Sequence, residues 1–156
     1  MQIYDSDFND LFSHLKLECQ YADVSLWGTE YYTYQGAQRC ETHFGNSKRN
    51  IIRFRLNNDN SVSRILITTS PFLFSMESTQ LVFSVILYVI FDEIGLSQSE
   101  LTTLLDRLGD KLDRISSYDT HFHDKISVWC AKTRRYVTLD FEMDYSKVDF
   151  YLYADI

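Results

Sequence analysis

A chain of 156 residues, 45% of them hydrophobic and 15% aromatic, is long enough to bury one core and too apolar to be a disordered segment. Its net charge of −7 disfavours broad contact with nucleic acid or with an anionic membrane surface. The most apolar run, Leu81 to Phe91, is broken only by Ser84 and falls short of the about 20 residues that a bilayer span takes.

Cys19, Cys40 and Cys130 are odd in number and dispersed, which fits a reduced, cytoplasmic chain better than a disulfide framework. The start, "MQIYDSDFND", has neither a basic region nor an apolar core of the secretory type. No linker, repeat or low-complexity tract divides the chain, so a single α+β domain over residues 1–156 is expected.

In chain order, Phe8, Leu11, Phe12, Leu15 and Cys19 recur at helical spacing, and Asp5, Ser6 or Asp7 stands where a cap belongs. A β-rich stretch follows. In "NIIRFRL" Ile52, Phe54 and Leu56 take one side while Arg53 and Arg55 take the other, and "NNDN" at 57–60 turns the chain into "VSRILITT". Four or five antiparallel strands in a meander are expected before Pro71.

Residues 78–94 are apolar nearly all round and rich in β-branched side chains, so propensity alone leaves helix and strand open. Their length predicts a helix, and Gly95 stands at a C-terminal cap position. Ser97 and Glu100 have capping-box spacing for a second helix, whose stripe is Leu101, Leu104, Leu105, Leu108, Leu112 and Ile115. The two form an αα-hairpin behind the first strands. "GLSQSEL" at 95–101 resembles the start of the second helix of helix-turn-helix repressors over those seven residues. The segment after it alternates acids and bases, where a recognition helix should present a basic or polar face to the major groove.

The last third predicts a C-terminal three-stranded antiparallel sheet over about 121–131, 135–143 and 148–156. Tight loops at Thr133-Arg134 and Tyr145-Ser146 place Ile126, Val128 and Cys130 with Val137, Leu139, Phe141 and Met143, and with Val148, Phe150, Leu152 and Ala154, on a core face. The opposite face then carries the rows Lys125–Glu142–Asp149, Ser127–Asp140–Tyr151 and Trp129–Thr138–Tyr153. Indole, phenol and carboxylate groups without aliphatic neighbours suit a surface that binds another protein. Two plainer readings compete with this. The face is simply the solvated side of an antiparallel sheet, or the N-terminal helix covers Trp129 and Tyr153.

Other chemistry is sparse. "DTHFHD" sets Asp119, His121 and His123 on one side of a strand, the pattern of a two-histidine, one-carboxylate metal or acid–base site. Cys40 and His43 in "CETH" fall on opposite faces of a strand. Between Arg39 and Arg64 six basic side chains oppose Glu41 and Asp59, and Arg53 with Arg55 gives a second candidate surface, for phosphate or nucleic acid. No phosphate loop, nucleophile elbow or zinc-hydrolase motif is present, and no cofactor is expected.

The leading expectation is a non-enzymatic, acidic protein-binding module of the inhibitor or immunity-protein kind. It would mask a basic surface of a partner protein through Trp129, Asp140, Glu142, Asp149, Tyr151 and Tyr153. That kind is an analogy of size and charge. The alternatives are an enzyme built on Asp119, His121 and His123, or nucleic-acid contact through Arg53 and Arg55.

Overall fold

A computed structural model of the chain describes residues 7–74, 76–113 and 121–155. Helix α1 (Phe8–Tyr21) precedes strands β1 (Leu26–Tyr34), β2 (Ala37–Phe44), β3 (Ile51–Leu56) and β4 (Val62–Thr69). A short α2 (Pro71–Phe74), then α3 (Glu77–Ile94) and α4 (Gln98–Asp113), lead to β5 (Phe122–Cys130), β6 (Arg135–Met143) and β7 (Val148–Asp155). The α+β class, the four-stranded meander, the helix pair and the C-terminal three strands all stand as the sequence predicts. Asp119 and Ile115 lie outside the described residues.

The local signals act as expected. Asp7 caps α1 by accepting from the Asn9 amide at 2.6 Å, and the Asn60 side chain donates to the same carboxylate at 3.0 Å. The 57–60 turn and the helix start therefore hold each other. Gly95 ends α3 in the left-handed region at φ 101°, and its amide closes on Phe91 and Asp92. Ser97 and Glu100 exchange both bonds of a capping box at 3.2 and 2.9 Å.

The two β segments join. One seven-stranded antiparallel sheet runs β1-β2-β3-β4-β7-β6-β5, with β7 returning to lie beside β4. All three long helices pack on one side of it. Phe8 and Phe12 of α1 meet Phe54 at ring distances of 5.2 and 6.1 Å. Phe83 of α3 sits 4.4 Å from Phe150 on β7, which also stacks on Phe141 at 6.0 Å. Helix α4 lies over β5, tied by Lys111 to Asp124 at 2.5 Å. Phe150 is fully buried, so β7 is the middle of the core rather than its margin.

One predicted register is corrected. The β6–β7 pairing is as expected, with Glu142 opposite Asp149, Asp140 opposite Tyr151 and Thr138 opposite Tyr153. In the β5–β6 hairpin Lys125 faces Asp140, Ser127 faces Thr138 and Trp129 faces Tyr136, two residues away from the expected rows. The loop has four residues, 131–134, instead of two. Glu100 of α4 takes the Ala131 amide at 3.1 Å, the Arg134 amide returns to the Cys130 carbonyl at 2.9 Å, and Arg134 adopts φ 54°. Ala131 therefore leaves the ladder. A two-residue slip keeps every side chain on its own face, so the face assignment survives the error.

Candidate functional site

The side of the sheet opposite the helices is bare among the described residues, because α1, α3 and α4 all take the other side. The pairings set its side chains in rows that cross all seven strands. One row runs Trp27, His43, Ile51, Thr68, Asp149, Glu142 and His123. The next runs Glu30, Glu41, Arg53, Leu66, Tyr151, Asp140 and Lys125. A third sets Tyr32, Arg39, Arg55 and Arg64 on one half and Tyr153, Thr138 and Ser127 on the other.

The six expected partner-binding residues are all on this face, but they are not alike. Trp129 is 47% exposed, and Glu142 is exposed with no bonding partner among the described residues. Tyr151 and Tyr153 are half-buried. Asp140 is half-buried and bound to His123 Nε2 at 2.7 Å. Asp149 is only 4% exposed: Thr68 Oγ1 donates to it at 2.7 Å, and Lys147 Nζ lies 3.0 Å away. The carboxylate raises the Lys147 ammonium pKa above its usual range, chiefly through that hydrogen bond. A carboxylate engaged on both oxygens and this deeply placed braces the sheet and leaves little surface open, whereas Glu142 beside it is exposed.

The alternation also brings in a residue that sequence reasoning passed over. Tyr136, 51% exposed, stands edge-on to Trp129 at 5.0 Å. Its signal was present two residues before Thr138, but the assumed loop length put Thr138 opposite Trp129. The exposed aromatic and carboxylate groups of this end are therefore Trp129, Tyr136 and Glu142.

The opposite half of the face has the contrary sign. Arg53 is bridged to Glu41 at 2.9 Å, whereas Arg39, Arg55 and Arg64 have no carboxylate within ion-pair distance among the described residues. Arg39 lies over the Tyr34 ring and Arg64 over Tyr151, at 5.2 and 5.9 Å. Partial burial and the Glu41 charge push the Tyr32 phenol pKa up. At the strand ends a broad cleft of about 960 Å³ opens between residues 47–49 with Ile51, 68–73 and 145–147, with Lys48, Arg49 and Lys147 on its walls.

The alternatives for catalysis gain nothing. His121 and His123 are exposed, His121 stacks edge-on to Tyr145 at 5.2 Å, and His123 is engaged by Asp140. No group of three or more His, Cys, Asp or Glu side chains among the described residues is placed to hold a metal ion. Cys40 is buried on the helix side and His43 lies on the other, as strand geometry predicts. Burial raises the Cys19 and Cys40 thiols to about 11, the reverse of what a nucleophile needs. No described helix is long and apolar enough to cross a membrane. No family model matches the chain, and neither does any curated protein or solved structure.

Proposed function

We propose that the chain is a protein-binding module that docks the helix-free face of its sheet on a basic surface of another protein. The mode is that of an inhibitor or immunity-type protein masking a partner's functional site. One observation carries this reading. Among the described residues, the seven-stranded sheet has one face without a helical cover, and at the β5–β6 end of that face Trp129 and Tyr136 stand exposed near Glu142, which has no partner among them. Large amphipathic rings bury area with little loss of side-chain freedom, and they dominate the energetics of most interfaces. The free carboxylate and the net charge of −7 supply attraction and orientation towards a cationic partner.

The test is capture from a native cell extract with the purified protein as bait, followed by affinity measurement on the captured partner. Trp129→Ala should weaken binding about 30-fold, the effect of a central aromatic anchor worth about 2 kcal/mol. Glu142→Lys should weaken it too, with a smaller loss at high salt. Tyr88→Ala, exposed on the helical side, should leave it unchanged. A partner held equally by both face variants and released by Tyr88→Ala would place docking on the helices and end the proposal.

A further inference from the structure

Because β7 lies beside β4, three connections meet at one end of the sheet: the β2–β3 loop, the corner from β4 into α2, and the β6–β7 turn. Between them opens the cleft of about 960 Å³, a size that small-molecule sites take. Lys48, Arg49 and Lys147 line it, and no Asp or Glu is among its described lining residues. Phe72 and Tyr145, each 76% exposed, bring a ring to two of its walls. We propose that this cleft binds a nucleoside di- or triphosphate, with the phosphates against the three cations and the base against the two rings. The site uses none of Trp129, Tyr136 and Glu142, so it does not depend on the docking reading.

The walls are held by bonds of their own. In "NSKRN" at 46–50 the Ser47 hydroxyl accepts from the Arg49 amide at 3.2 Å, and the Ser47 carbonyl accepts from the Asn50 amide at 3.1 Å. Asn50 is 4% exposed, and its side-chain oxygen accepts from the buried Thr69 hydroxyl at 2.6 Å. That bond ties the root of the basic loop to the end of β4. On the facing side, Asp144 accepts from the Ser146 and Lys147 amides at 2.7 and 3.0 Å and shapes the β6–β7 turn. Lys147 Nζ is kept 3.0 Å from Asp149, and Thr68 donates to the same carboxylate. The Tyr145 ring is braced edge-on by His121 at 5.2 Å.

The local charge decides the sign of the ligand. The chain as a whole carries −7, which repels an anion at a distance. Salt screens exposed charges beyond about 8 Å at physiological ionic strength, so the groups on the walls prevail once a ligand is inside. Both acids that flank Lys147 in sequence are engaged, Asp144 by the turn and Asp149 by Thr68 and Lys147. Lys48 and Arg49 are exposed, with no carboxylate within ion-pair distance among the described residues. Two such cations, and a third shared with Asp149, suit a ligand with several negative charges, and a guanidinium takes two phosphate oxygens at once. Inorganic phosphate alone would make no use of the exposed rings. A nucleobase offers each of them a π-face, and stacking of this kind does not depend on which base it is.

Isothermal titration of the full chain with ATP, GTP, adenosine and inorganic triphosphate tests this. ATP and GTP should bind with similar affinity, and adenosine and triphosphate each at least about tenfold more weakly. Lys48→Glu and Arg49→Glu should each weaken ATP and triphosphate at least about tenfold, the loss of one charge-assisted contact. Phe72→Ala and Tyr145→Ala should each weaken ATP at least about fivefold and leave triphosphate unchanged. All four positions are exposed, so the fold is not at stake. Arg55→Glu, on the sheet face outside the cleft, should leave ATP binding as it is. Absence of binding by both nucleotides up to about 1 mM, the weak end of metabolite recognition, overturns the proposal. Triphosphate bound as tightly as ATP marks a plain polyanion site and overturns it. So does a single-stranded oligonucleotide whose affinity exceeds that of ATP and grows with its length, since the cleft would then be part of a nucleic-acid groove. ATP binding lost on Arg55→Glu and kept on Lys48→Glu would move the phosphates to the sheet face, which overturns it as well. Capture of a protein partner in a Trp129-dependent manner stands or falls separately from these outcomes.

Discussion

Replacing Asp149 by alanine separates a carboxylate that braces the sheet from one proposed to serve docking. Asp149 lies on β7 at 4% exposure, bonded to Thr68 across the β4–β7 junction at 2.7 Å and to Lys147 at 3.0 Å. A hydrogen bond to a charged group contributes about 1.5–3 kcal/mol. The Lys147 side chain is 52% exposed, so its ion pair adds about 0–1 kcal/mol after solvent screening. Against these, Glu142 stands directly opposite as a like charge, and its relief returns up to about 1 kcal/mol. The net cost of Asp149→Ala is therefore about 2 kcal/mol, which lowers Tm by about 4–8 °C in a chain of this size.

Urea unfolding followed by circular dichroism measures this directly, with the midpoint falling at an unchanged slope. Thr68→Val costs less on the Asp149→Ala background than alone, with a coupling of about 1 kcal/mol. Glu142→Gln alone leaves stability equal or raises it, since it removes the like charge and breaks no bond. An Asp149→Ala variant that unfolds within about 0.5 kcal/mol of wild type would show that the Thr68 and Lys147 contacts do not brace the sheet.

Four further outcomes follow from the same geometry. Phe150→Ala empties the centre of the core between Phe83 and Phe141 and should cost about 3–5 kcal/mol, read by the same urea assay. Gly28 sits at φ 65° with the His43 ring 2.9 Å from where a Cβ would stand, so Gly28→Ala should cost about 1–2 kcal/mol and change Trp27 fluorescence by disturbing its stack on His43. Partial desolvation pushes the Glu100 carboxyl pKa up but is outweighed by the Ser97 and Ala131 amides, so its folded value is lowered. Its contribution is present above the ordinary glutamate range and lost as pH falls through that lowered value, and Glu100→Ala should cost about 1 kcal/mol at neutral pH with a flatter acid limb. Cys19 and Cys40 titrate near 9 when unfolded and near 11 when folded, chiefly through burial, so stability present below about pH 9 is lost as pH rises towards 11. Cys40→Ala should make that alkaline loss shallower in pH-dependent urea midpoints.

The legible parts of the fold were those written in local pattern. Helix spacing in 8–19, the capping box at Ser97 and Glu100 and the Gly95 stop each rest on contacts within a few residues, and each appears where expected. For 78–94 the β-branched composition left strand open, and the length of the run with the glycine after it pointed to a helix, which is what forms. The helix-free face was likewise legible, since alternation assigns each strand residue to a side whatever its neighbours do. Trp129, Tyr151, Tyr153, Asp140 and Glu142 therefore lie on one face as predicted, and the N-terminal helix is on the other side.

Alternation by itself determined faces, but it determined register only to within two residues. A slip of two costs no change of side, so the β5–β6 pairing waited on a contact from 31 residues away, in which Glu100 withdraws the Ala131 amide from the ladder. Burial within a face was equally a tertiary decision. Asp149 and Glu142 are neighbours of the same charge on adjacent strands, yet only Asp149 has β4 on its other side, with Thr68 to engage it. The meeting of β4 with β7 has no short-range signature. It exists because the two half-sheets bury their apolar sides under one layer of helices, and it is what brings an arginine-rich half and a carboxylate-rich half onto one continuous surface.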